Sequence, residues 1–335
     1  MFISPEKGLG SVSSYLTRRI LYAFPILIGV NFITFVLFFV VNSPDDMARV
    51  HLGNRYVTED SISNWKSERG YDKPLFIALD NSGKKVFTET IFFDKTVRLF
   101  TFDFGQSDSG RDISYDISER MWPSLLISLP VLCLGLLFTL SFALLIAFFR
   151  GTYIDSSAVI LCVSMMSVSG LFYIIGGQYL LSKLLQIVPI SGFDDGIASV
   201  KFLILPIIIG VVGGLGHGTR WYRTIFLEEI HRDYVRTARA KGLSEKGVLY
   251  QHVLRNALIP IVTGVVALLP SLFLGSLITE AFFGIPGLGS YTIDAIQSQD
   301  FAIVRAMVFL GSVLYILGLI LTDVAYTLVD PRIRL

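Results

Sequence analysis

The sequence predicts an all-α polytopic membrane protein, with six transmembrane helices, a long cytoplasmic loop that forms helix of its own, and a small extracytoplasmic subdomain. Three observations carry this reading. Charged residues make up 16% of the 335-residue chain and hydrophobic ones 53%, whereas soluble domains carry about 25% charge, and no soluble fold of this size can hide that much apolar surface. The apolar residues gather into long runs rather than an alternating or amphipathic pattern. Lys and Arg collect in alternate connecting loops, although the net charge is only +1.

The first apolar run, 20–41, follows Arg18 and Arg19 as the core of a signal peptide would. Such a core is usually about 7–15 residues and ends at a small-residue cleavage site. This run has the roughly 20 residues that cross a bilayer as helix, so it is predicted to be a retained start-transfer helix. The next segment, 42–122, is polar and has no cysteine for a disulfide framework. It carries Trp65, Phe76, Phe92, Phe93, Phe100, Phe102 and Phe104, more aromatic side chains than a disordered linker would hold. It is expected to fold against the membrane part.

The remaining spans are predicted at 125–149, 158–181, 202–217, 257–283 and 303–329, from length and hydropathy. The fourth is the weakest. It is short, it begins at Lys201, whose ammonium can snorkel to the interface, and it contains Gly210, Gly213, Gly214, Gly216 and Gly218. Gly210 and Gly214 have the spacing that lets two membrane helices approach closely, so the cluster reads as helix packing and not as a nucleotide loop. Pro25, Pro130, Pro206, Pro260 and Pro270 interrupt the runs, which membrane helices tolerate when neighbours re-satisfy the freed carbonyls. Cys133 and Cys162 lie in apolar runs and are expected to be buried free thiols.

Basic residues set the orientation. Lys7, Arg18 and Arg19, Arg150, the eight basic residues of the 219–258 loop, and Arg332 and Arg334 all fall on one side of a six-span chain. The opposite short loops hold only Lys183 and Lys201. Both termini and the 219–258 loop are therefore expected to be cytoplasmic and 42–122 external.

Within that loop, Leu227, Ile230, Tyr234 and Ala238 recur at helical spacing and would form one apolar face. Gly242 permits a sharp change of direction, and Ser244 followed by Glu245 is a start signal for a second short helix. Ala238 and Ala240 would keep the surface shallow enough for a partner to come close. The competing reading is that the basic residues only enforce topology or touch anionic membrane lipid. A nucleic-acid reader would need an independent domain, for which this loop is too short, so no nucleic-acid partner is expected.

The stretch Asp233-Tyr234-Val235-Arg236-Thr237-Ala238-Arg239-Ala240-Lys241-Gly242-Leu243, followed by His252-Val253-Leu254-Arg255-Asn256-Ala257-Leu258-Ile259-Pro260, resembles the cytoplasmic coupling loop of ABC importer inner-membrane permeases. More narrowly, it is similar to the dipeptide/oligopeptide/nickel branch of the binding-protein-dependent transport family. Arg236 and Thr237 replace the first two residues of the generic Glu-Ala-Ala motif, while Ala238 and Gly242 match it. The resemblance spans nearly the whole chain: Arg18-Arg19, Tyr71-Asp72-Lys73-Pro74-Leu75, Asp103-Phe104-Gly105-Gln106-Ser107, Thr279-Glu280-Ala281-Phe282-Phe283, Ile285-Pro286-Gly287-Leu288-Gly289, then Asp323, Tyr326 and Asp330-Pro331-Arg332-Ile333-Arg334. Two places depart from the family pattern, Pro44-Asp45-Asp46-Met47 after the first span and Ser167-Val168-Ser169-Gly170 in the third.

The resemblance implies a permease subunit of an ATP-driven importer, paired with a sister permease as a heterodimer, two ABC ATPase subunits and an extracytoplasmic solute-binding protein. It implies that the chain is not itself an enzyme and binds no cofactor, ATP and Mg being held by the partner ATPases. It assigns ATPase coupling to Tyr234, Arg236, Thr237, Ala238, Ala240, Lys241, Gly242 and Leu243. The divisions expected are a tail at 1–19, the first span at 20–41, the subdomain at 42–122 and the transmembrane domain at 123–335 with its coupling loop at 219–258. The location implied is the bacterial inner membrane. The solute stays open among dipeptides, oligopeptides, nickel and glutathione. The alternative class is a self-sufficient secondary transporter or channel, but neither an inverted repeat nor a chain of intramembrane carboxylates speaks for it.

Glu280, with Gly287 and Gly289 close after it, is a candidate for gating or contact with the binding protein. The competing reading pairs Glu280 with a helix N-terminus or an external-loop base. Asp323 is expected to pair with Arg332 or Arg334, or to be solvated at the interface. His51, His217, His231 and His252 lack metal-ligand spacing. Gly83-Lys84 is followed by Lys85 and so is not a phosphate-binding loop.

Overall fold

The computed structural model describes residues 6–53, 58–79, 85–194 and 196–329. Helix α1 (Glu6–Phe35) widens into a π-helical end at Val36–Val41. Short helices α2 (Pro44–Leu52) and α3 (Glu59–Arg69) follow, then the two-residue antiparallel strands β1 (Ala78–Leu79) and β2 (Lys85–Val86). Next come α4 (Ile113–Phe148), α5 (Tyr153–Ser167), α6 (Gly170–Gly177), which runs on to Leu184, and α7 (Val200–Ile230). The remainder comprises α8 (Asp233–Ala240), α9 (Glu245–Gly247) leading through a π-helical stretch into α10 (Arg255–Leu268), α11 (Leu277–Phe283), α12 (Leu288–Ser298) and α13 (Phe301–Val329).

Five stretches are long and apolar enough to cross a bilayer: Thr17–Val41, Ile113–Phe148, Gly196–Ile230, Glu245–Leu274 and Phe301–Tyr326. A sixth is the pair Tyr153–Ser167 and Gly170–Leu184, bent by 88°. The chain is a multi-pass α-helical membrane protein, as the sequence predicts, with the two-residue strand pair as a minor addition.

The structure alters four details. The third span is broken at Val168–Ser169, where both residues are extended, with ψ of 128° and 144°. A β-branched residue followed by Ser and Gly makes that departure from helix inexpensive. The fourth span, the weakest in the sequence, is one 31-residue helix. Its glycines do serve packing, but the close approach is not the Gly210–Gly214 pair: a Cβ on Gly216 would lie 2.7 Å from the Cys162 carbonyl oxygen, whereas one on Gly214 would meet nothing. The fifth span begins at Glu245 and ends at Leu274, so the stretch through residue 283 is not its continuation. Gly275, at φ +68°, turns the chain, and Ser276 caps the separate helix α11. Finally, Cys162 is buried but Cys133 is exposed on the protein surface; an apolar run inside a bilayer has a lipid-facing side, so apolar context does not imply burial.

The chain forms two compact units. The first comprises residues 1–119 and 292–317. Its core joins the first span to the polar segment: Phe35, Phe39, Met47, Ala48, Ile62, Trp65, Tyr71 and Ile91 are all buried together. Local signals place these residues. Ser43 and Asp46 form a reciprocal capping box with Pro44 in the first turn of α2, Thr58 caps α3, and Gly70 ends it in the left-handed region. The expected aromatic packing is present, with ring centroids 5.0 Å apart for Phe35–Phe92 and 5.5 Å for Phe100–Phe309. Phe93 departs from it, stacking on Phe87 of its own segment.

The second unit comprises residues 120–291 and 318–335. In it α5 packs along α7, and the two are pinned by a bidentate ion pair in which Arg223 Nε and Nη2 each donate to Asp155 at 2.9 Å. Both side chains are largely buried, and a forked pair of this kind fixes orientation as well as charge.

Candidate functional site

The 231–244 loop is built by three successive interruptions of helix. α7 stops at Ile230, and Arg232 is extended at φ −69° and ψ 150°. α8 then runs for eight residues. Lys241 follows, and Gly242 at φ +80° reverses the chain. No atom lies within 4 Å of where a Gly242 Cβ would stand, so the backbone conformation, not space, calls for glycine. Ser244 accepts a hydrogen bond from the Gly247 N–H at 3.3 Å and starts α9. The predicted second short helix is therefore the beginning of the fifth span, not an independent element.

The break at His231–Arg232 resets the helical phase, so the predicted face through Leu227, Ile230, Tyr234 and Ala238 does not form as one stripe. Val235 and Ala238 point inward instead, into a cluster with Phe226, Ile230, Val248, Leu249, Val253 and Ala257. Tyr234, Arg236, Thr237, Ala240, Lys241, Gly242 and Leu243 are exposed. Ala238 thus seats the helix on the body of the protein, and only Ala240 keeps the outer surface shallow.

Polar contacts fasten the ends of α8. The Tyr234 hydroxyl donates to Glu229 across the break. Burial and that hydrogen bond push the phenol up to about 12, which keeps the donor proton in place at neutral pH. On the far side, Arg239 Nε donates to Glu245 at 2.8 Å, with Arg150 3.9 Å from the same carboxylate. Arg236 reaches only Asp233 of its own helix, at 3.5 Å. The outer face therefore presents a cation, a hydroxyl and small residues on a helix held from beneath.

The second predicted cluster gathers around one carboxylate. Glu280 is 1% exposed. Its Oε1 accepts from the Ser276 N–H at 3.1 Å, a reach back to the cap of its own helix, and its Oε2 accepts from the Ser290 N–H at 3.1 Å. Ser124 accepts from the Leu288 N–H at 2.8 Å beside it. The carboxylate thus sits among the free N–H groups that open α12, where the helix dipole favours negative charge. Gly287 and Gly289 make room for it, since a Cβ at either would lie 2.3 Å and 2.8 Å from Glu280 Oε2. Burial pushes the carboxyl above the ordinary carboxylate range, while the Ser124 hydroxyl and the N–H groups of Ser290, Ser276 and Gly289 pull it back. Of the two sequence readings of Glu280, the geometry is that of pairing with a helix N-terminus.

Asp323 does not stand alone, although its expected partners Arg332 and Arg334 lie outside the described residues. Gly83 and Lys84 lie outside them as well. Among the described residues no group of His, Cys, Asp and Glu could hold a metal ion. Sequence reasoning missed the Asp155–Arg223 clamp and the inward seat of α8. The first joins residues far apart in the chain, and the second depends on a helix break that composition does not mark.

Comparison with known proteins agrees with this arrangement. Residues 124–335 match the family model described as binding-protein-dependent transport system inner membrane component. Residues 12–134 match the model of the N-terminal part of such membrane components. The chain is 29% identical over 329 residues to a putative peptide transport system permease protein of Brucella abortus, covering 96% of this chain and 99% of the relative. It is 27% identical to the oligopeptide transport system permease protein AppB of Bacillus subtilis, covering 96% and 100%. It is 30% identical to the di/tripeptide transport system permease protein DppB of Pseudomonas aeruginosa, covering 96% and 98%.

Proposed function

The chain belongs to the binding-protein-dependent transport family and is a permease subunit of an ABC importer, and we propose that it passes short peptides delivered by an extracytoplasmic binding protein. The names of its relatives support the solute class. In this reading the chain pairs with a sister permease, both termini and the 219–258 loop are cytoplasmic, residues 42–122 face outward, and the membrane is the bacterial inner membrane. Two partner ATPases bind ATP and Mg and supply the energy.

One observation carries the coupling assignment: α8 is seated by Val235 and Ala238 while its opposite face stays open. A helix buried on one side and exposed on the other, with small residues and a cation outward, fits the groove of a partner subunit. Closure of the ATPases on nucleotide would push α8. The buried seat would pass that push to α7 and to the span that begins at Glu245, biasing the permease between inward and outward states. Tyr234, Arg236, Thr237, Ala240, Lys241, Gly242 and Leu243 form the contact, and Ala238 fixes the lever to the body. Glu280, Gly287 and Gly289 serve gating indirectly, by holding α11 and α12 in one rigid frame on the outer side.

The test is a Lys241→Cys variant treated in native membranes with a short thiol-to-amine crosslinker. A crosslinked product containing an ATP-binding subunit is expected. Adducts with lipid alone would return the loop to a purely topological role.

A further inference from the structure

The transport reading leaves unused a polar cavity of about 410 Å³ in the first unit, lined by Arg305, Lys95, Tyr71 and acidic residues of the polar segment. That volume lies in the range of small-ligand pockets, roughly 300–1,000 Å³. Most of its charges are matched within the protein. Arg69 Nε donates to Asp108 at 2.8 Å, and Asp94 pairs with Lys73 at 3.4 Å and Arg98 at 3.1 Å. Asp300, beside the cavity wall, is taken up by the N–H groups of Asp108 and Ile303, at 2.7 Å and 3.2 Å.

Two cations are not matched. Arg305 is 6% exposed, and its Nε and Nη1 donate to the carbonyls of Phe301 and Lys95 at 3.2 Å and 3.3 Å. Its guanidinium also lies 4.9 Å from the Phe39 ring centre. Carbonyls and a ring face orient a guanidinium but do not neutralise it. Lys95, half-buried, lies over the Tyr71 ring at 5.5 Å. Among the described residues, no carboxylate oxygen stands within 4.0 Å of either cation. Burial, and next the Arg305 charge, hold the Lys95 ammonium below the ordinary lysine range, as expected of two cations facing one space. A nine-tenths buried guanidinium without a counter-ion is costly to keep, and an anion entering the cavity would offset that cost.

We propose that this cavity binds the carboxylate of a small solute between Arg305 and Lys95. The guanidinium supplies two parallel N–H donors of fixed geometry, and the ammonium supplies a third, movable one. A carboxylate fits this set better than a neutral amide, which can accept on one oxygen only. The choice of a peptide as the natural solute rests on the transport reading, but the carboxylate site itself does not.

The test is calorimetric titration of the full chain in lipid nanodiscs with dialanine, dialanine amide and acetate, without partners or nucleotide. Dialanine should bind saturably and at least tenfold more tightly than its amide. Lys95→Gln should weaken dialanine at least fivefold. This substitution is at a half-buried side chain, so it remains informative even where Arg305→Gln fails to fold. Binding of acetate that depends on Lys95, with none of dialanine, would uphold the carboxylate site and remove the peptide from it. Equal binding of dialanine and its amide, unchanged binding by Lys95→Gln, or no saturable binding of dialanine or acetate would overturn the proposal. Because no uptake is measured, failure of the importer reading cannot mimic any of these results.

Discussion

Helices α8 and α11 use the same local parts to opposite ends. Each is short, and each is followed by a glycine of positive φ, Gly242 at +80° and Gly284 at +63°. In α11 the functional-group-bearing side chain points in. Glu280 is 1% exposed, and every hydrogen-bond acceptor site that the packing leaves it is filled from within the chain. In α8 only Val235 and Ala238 point in, and the polar side chains face away from the body. A buried, internally satisfied carboxylate has nothing left to offer a partner, so it reads as architecture. A helix held from below with its outer face open reads as an interface. The distinction rests on where the hydrogen bonds go, not on which residues look unusual in sequence.

Glu280→Ala is the strongest way to break that comparison. It leaves the N–H groups of Ser276 and Ser290 without acceptors in a buried site, at about 1–3 kcal/mol for each, and it empties the space that Gly287 and Gly289 make for the carboxylate. The expected outcome is a marked fall in the thermal midpoint of the purified chain in detergent, with loss of assembled protein in the membrane. An unchanged midpoint combined with lost uptake would instead place Glu280 among the groups that act directly in transport.

Ala238→Leu comes next and tests the inward half of α8. Ala238 is 4% exposed, among Val235, Val248, Leu249 and Val253, and extra methylenes in a filled core cost about 1–3 kcal/mol. Leucine here should lift α8 from its seat, seen as faster proteolysis within 231–244 in membrane vesicles, whether or not an ATPase is present. Protection equal to wild type would mean that α8 is not seated as a lever.

What the sequence made legible, and what it did not, follows from the range of each interaction. Hydropathy runs, caps and the glycine turn are local, so the spans, the Ser244 start and Gly242 were readable one segment at a time. So was the chance that Glu280 meets a helix N-terminus, because its capping partner Ser276 lies only four residues away. The orientation of Ala238 was not readable, because the extended Arg232 shifts the phase of everything after it. The end of the fifth span was hidden for a related reason: apolar residues continue past Gly275, and only its positive φ stops the helix. Arg305 was silent for a different reason. Its bond to the Lys95 carbonyl joins residues 210 apart in the chain, and in sequence it is one more basic residue near the end of a span.

Ala240→Leu tests the outward half of α8 and has the smallest expected effect on the folded chain. Ala240 is exposed and absent from the cluster beneath the helix. Leucine is as good a helix former as most residues, and exposed substitutions of this kind usually change stability by no more than about 0.5 kcal/mol. The thermal midpoint and proteolysis of the isolated chain should therefore match wild type. A partner groove shaped for a methyl group would meet three more carbons, and the same overpacking argument then applies across the interface. Uptake driven by ATP should fall, together with recovery of the ATP-binding subunits when the tagged chain is purified. If both stay at wild-type levels while Ala238→Leu is disruptive, α8 is a structural corner only, and the distinction between its two faces has no bearing on transport.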